Sequence, residues 1–99
     1  MKKIKEYVEA IREEVDGAKD YAEKAVECKV KGNAMKASRY REMAEDELKH
    51  AMYLHEWAVA EIEAISKVYT APVDMMEKWE REHKKYVEDV AWIKQMLML

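Results

Sequence analysis

Glu47 and His50 stand at Glu-x-x-His spacing, and a third candidate ligand, Glu14, lies upstream. Residues three apart on a helix share a face, so the pair can grip one ion together. Carboxylate oxygens with a neutral imidazole suit Fe(II), Mn(II) or Zn(II). The helical pattern predicts that Glu14, Glu47 and His50 sit within otherwise apolar stripes. An unpaired carboxylate there must be protonated, paired or metal-bound. The bland alternative is that both acids pair with lysine or arginine at a stripe edge. Glu-x-x-His alone carries little weight, because Glu80 and His83 form a second match. Glu80 falls roughly 90° from the apolar centre of its helix, so a solvated Glu80 and a packed His83 are expected. His55 falls off the ligand face and is expected at the surface, or as a secondary ligand at an entry site. Glu13 and Asp16 flank Glu14 and read either as guides for incoming cations or as ordinary solvated acids.

The elements that must position these groups are helices. Only 2 Gly and 1 Pro interrupt 99 residues, of which 49% are hydrophobic and 39% charged. That composition favours long helices in one domain spanning 1–99. Lys31-Gly32-Asn33 supplies a left-handed helix end and a cap for the next start. Thr70-Ala71-Pro72 supplies a cap and a residue tolerated only in a first turn. The pattern therefore predicts a first helix at about 2–30, a second at about 34–69 and a third at about 72–97. The short link folds the first two into an antiparallel hairpin. Its apolar stripes are predicted as Tyr7, Ala10, Ile11, Glu14, Ala18, Tyr21, Ala25 and Cys28, against Tyr40, Met43, Ala44, Glu47, His50, Ala51, Leu54, Ala58 and Ile65. A neighbouring face of the second helix (Tyr53, Trp57, Ala64, Val68) predicts a further helical neighbour. The third helix's stripe is Met76, Trp79, His83, Tyr86, Val90, Ile93 and Leu97.

The net charge of −3 and the lack of a basic stripe argue against nucleic acid as a partner. No run of about 18 uncharged apolar residues suggests a membrane span. The charged start MKKIKEYVEAIREE is unlike a secretory signal, and the single Cys28 fits a reducing cytoplasm.

Two segments, Glu13–Ala25 (EEVDGAKDYAEKA) and Arg41–Trp57 (REMAEDELKHAMYLHEW), resemble the core helices of encapsulated ferritins, relatives of the ferritin and rubrerythrin superfamily. Glu14 matches the first ligand of that pattern and Tyr21 its tyrosine. Glu47 and His50 match the Glu-x-x-His, followed by Ala51, Leu54 and Trp57. Asp20 stands where the family has an aromatic residue, and Trp92–Leu99 is unlike the family's shell-addressing tail. The resemblance implies an all-α fold in which a hairpin dimer completes a ferritin-like four-helix bundle. It implies a di-iron ferroxidase site between two subunits, with Glu14, Glu47 and His50 as ligands; Tyr21 is read either as core packing or as a hydrogen-bond partner behind a ligand carboxylate. It also implies a homodimer or larger even-numbered ring, and a cytoplasmic protein held in an encapsulin-type shell. Mn or Zn fits the same donors.

Two functional readings follow. One is an iron-binding oxidoreductase for iron oxidation and storage or peroxide handling. The other is a non-catalytic helical assembly or scaffold protein on the same fold, motivated by wide apolar faces and the Met-rich end. A third, a helical partner-binding module, predicts an exposed surface from Trp79 to Trp92.

Overall fold

The computed structural model describes residues 2–68 and 70–99, and among them all regular structure is helical. Helix α1 spans Lys2–Val30, α2 spans Ala34–Val68 and α3 spans Val73–Leu97. The expected end of the second helix at residue 69 lies outside the described residues. The helices run up, down and up in a rod of 56 × 17 × 17 Å.

The first turn follows from its residues. Gly32 has φ 81°, the left-handed value that glycine accepts without a Cβ penalty. The Asn33 amide donates to the Cys28 carbonyl and the Gly32 amide to the Lys29 carbonyl. This pair of bonds closes α1 as a Schellman motif. Asn33 then caps α2, its Oδ1 accepting from the Lys36 amide at 3.1 Å. At the second turn the helix starts one residue later than the sequence suggests. Pro72, not Thr70, occupies the N-cap, and no side chain caps α3 there.

Helix α1 buries Ile4, Val8, Ile11, Val15, Ala18, Ala22 and Ala25, a strict heptad repeat. Helix α2 answers with Ala44, Ala51, Ala58 and Ile62. The small side chains along the contact let the two backbones approach closely. Helix α3 packs mainly on α1 and comes near α2 only slightly. It buries Ile93 and Leu97, with Trp79, Tyr86 and Val90 half-buried beside them. Arg12 ties α1 to α3, bonding Asp89 at 2.7 Å and reaching Glu82 at 3.8 Å. At the far end Lys29 Nζ donates to the Leu99 carbonyl.

The α1 core is therefore rotated from the expected stripe. Val8, Val15 and Ala22 take the place given to Tyr7, Glu14, Tyr21 and Cys28, which become a half-buried second stripe. Docking of α3 selects this rotation, because it covers the Val8–Val15 side. The neighbouring face of α2 also differs. Tyr53, Trp57 and Val68 are exposed, and the side turned toward α3 carries Leu48, His55 and Ile62.

Candidate metal centre

The second stripe of α1 and the adjacent face of α2 form one open side of the hairpin, away from α3. Glu14 and Gly17 stand one turn apart on α1, and Glu47 and His50 one turn apart on α2. The structure brings Glu14, Glu47 and His50 together, each offering one ligand atom, with all three atoms within 4.8 Å of one another. His50 Nδ1 lies 3.4 Å from Glu14 Oε2 and 3.9 Å from Glu47 Oε1. Each glutamate side chain is 28% exposed and His50 is 54% exposed. The centre thus lies at the rim of the core rather than inside it, as the rotated stripe requires.

Electrostatics mark the two acids as a strained pair. Among the described residues neither carboxylate forms an ion pair with lysine or arginine, and only His50 approaches them. The Glu47 carboxyl is held above its ordinary range. The first cause is a shared hydrogen bond with Glu14, followed by partial burial and then the negative charge of Glu14.

The donor set fits a divalent ion. Ligands about 2.1 Å from one ion lie roughly 3.0–3.4 Å apart at octahedral or tetrahedral angles. The His50–Glu14 separation of 3.4 Å already meets that range, and the Glu47 separation of 3.9 Å needs only a small rotation. Gly17 makes room for this. A Cβ there would stand 3.0 Å from Glu47 Oε2. Sequence reasoning passed over Gly17, although a helical glycine one turn after a candidate ligand is a signal of close approach.

The surrounding residues depart from expectation. Tyr21 stacks on Tyr40 with ring centroids 6.1 Å apart. Tyr21 packs against the core, the first of the two readings given for it, and a hydrogen bond to a carboxylate is not among those the described residues form. Asp16 pairs with Arg12 at 3.5 Å on the side facing α3. About 200° of helix rotation separates it from Glu14. Glu13 is exposed, as is Glu80. His55 is half-buried rather than exposed. Its Nε2 lies 3.0 Å from Nδ1 of His83, and its ring stacks on Tyr86 and Trp79. Between Trp79 and Trp92 the third helix is only partly open, since Trp79 is half-buried against the core and Trp92 is 56% exposed.

Comparison with protein-family models, characterised proteins and solved structures finds no match to this chain. No described helix is long and apolar enough to cross a membrane.

Proposed function

We propose that the chain is an iron-binding, ferritin-like protein whose hairpin pairs with a second copy across the Glu14–Glu47–His50 face. The observation that carries this reading is the convergence of two carboxylates and an imidazole with no lysine or arginine to balance them. One hairpin offers one Glu and one Glu-x-x-His. The di-iron bundle arrangement needs two of each, and a two-fold axis through this face supplies them. Met43, Tyr53 and Trp57 are 40%, 45% and 58% exposed. Met43 and Trp57 share the heptad row of His50 and would be covered by the second copy, with Tyr53 at its edge.

The chain's own groups have distinct tasks. Glu14 and Glu47 supply the carboxylate oxygens, and a bound cation would relieve the crowding of negative charge that holds the Glu47 carboxyl above its ordinary range. His50 is a neutral donor that fixes position. Gly17 leaves Glu47 the space to swing. Bound iron would supply one-electron redox chemistry toward oxygen or peroxide; Mn would fit the same donors, and Zn would occupy them without redox chemistry.

The test is metal stoichiometry with native mass after anaerobic Fe(II) loading. One ion per chain in an even-numbered oligomer is expected, with loss of binding in Glu47→Ala and His50→Ala. Wild-type stoichiometry and Fe(II) oxidation rate in those variants would refute the reading. The exposed Met43, Tyr53 and Trp57 also suit a purely structural assembly. In that case native mass shows an oligomer that binds no iron.

A further inference from the structure

On the side of α2 opposite the candidate metal centre, the slight approach of α2 and α3 leaves a groove of about 490 Å³. That volume lies within the roughly 300–1,000 Å³ typical of small-ligand sites. Its walls are Leu48 and Met52 from α2 and Tyr86, Val90, Leu97 and Met98 from α3. Met52 and Met98 are 44% and 84% exposed, so unbranched, adaptable side chains edge the opening.

The charges around it are not symmetric. Glu45 stands one turn from both Arg41 and Lys49 on α2, and among the described residues it forms an ion pair with neither. Arg41 and Lys94 flank the end closed by Leu97 and Met98. Among the described residues neither Arg41 nor Lys94 forms an ion pair. In a chain of net charge −3, two unpaired cations at one end of an apolar trough set a polarity. They complement one anionic head followed by an apolar tail. Arg41 offers a planar fork that matches a carboxylate. From Arg41 to Met52 the groove runs about 16 Å, three helical turns.

We propose that this groove binds a long-chain fatty carboxylate. The carboxylate sits between Arg41 and Lys94, and the chain lies along Leu48 and Val90 toward Met52 and Tyr86. The site is separate from the metal centre and does not depend on it.

The test uses laurate and shorter saturated carboxylates below their micelle concentrations, in metal-free buffer, by calorimetry and native mass. Affinity should rise about fourfold per methylene and level off once the tail outgrows the groove. The Arg41→Gln/Lys94→Gln double variant should weaken laurate binding about tenfold or more. Val90→Asp should weaken it while circular dichroism stays helical. If Val90→Asp unfolds, Met52→Lys on the exposed edge serves the same purpose. Dodecyltrimethylammonium should bind far more weakly than laurate. Equal binding of the cationic amphiphile, insensitivity to the double variant, or no chain-length dependence would each overturn the proposal. So would a groove closed by a second copy, seen as Met52→Lys turning an oligomer into a monomer.

Discussion

Gly17→Ala should separate the stability of the fold from the integrity of the metal centre. The added Cβ would meet Glu47 Oε2 at 3.0 Å, Cδ at 3.7 Å and Cγ at 3.8 Å. Those are the three nearest atoms, and all belong to the far end of a flexible side chain. The hairpin can therefore accept the methyl by letting the carboxylate move a few tenths of an ångström. Alanine in a helix interior is favoured over glycine by about 0.8–1.0 kcal/mol. For a domain of this size that corresponds to a rise in Tm of about 4–8 °C, read by circular dichroism on metal-free protein. The displaced Glu47 then moves away from a spacing that already stands at 3.9 Å from His50. Metal affinity should fall by about 10- to 100-fold, the usual consequence of disturbing a ligand's support. Anaerobic Fe(II) titration and Zn(II) competition measure this, with native mass confirming an unchanged oligomer. A variant that is more stable and still binds metal as tightly as the wild type would refute the role given to Gly17. A destabilised variant would show that the space serves packing instead.

Other perturbations test other parts of the molecule. The Glu47 carboxyl is raised above its ordinary 4.5, so its contribution to stability is full below that value and is lost as pH rises through the raised pKa. Urea unfolding of metal-free protein between pH 4 and 7 should show this loss, and Glu47→Gln should remove it. His55 is lowered from 6.5 by burial and by the facing His83. Its contribution is therefore full above 6.5 and lost as pH falls through the lowered value. His55→Gln should flatten that acid-side slope, and an unchanged slope would exclude the histidine pair as its source. Arg12→Ala leaves Asp89 and Glu82 without their cation and should cost about 1–2 kcal/mol in urea, with α3 exchanging its amides faster than the hairpin.

The features most legible in the sequence were those set by local chemistry. Gly32 and Asn33 determine their turn because the left-handed conformation and the cap are properties of those two residues. Pro72 likewise has to stand at a helix start, although which residue caps it depends on the chain before it. The convergence of Glu14 with Glu47 and His50 follows from helical spacing plus a short link, and needs little tertiary information. What was not legible was the rotation of α1. Ile4-Val8-Ile11-Val15 and Tyr7-Ala10-Glu14-Tyr21 are both plausible buried stripes, and only the docking of α3 decides between them. His55 was misplaced for the same reason. Helix α2 has three usable faces, and its partner in α3 is 28 residues away in sequence. The available clue is that Val8, Val15 and Ala22 are all aliphatic, whereas the row through Tyr7, Tyr21 and Cys28 carries Glu14.

The alanine row at positions 44, 51 and 58 has a consequence beyond filling the interior. Helices that meet through such short side chains sit near the lower end of the usual 8–10 Å axis separation. A glutamate's reach is fixed, so the gap between backbones decides whether two of them can grasp a single small ion. Leucines in that row would push the helices apart by an ångström or more, and the donors would part with them. The narrowest side chains in the hairpin thus act as its gauge, setting the span across which its acids must cooperate.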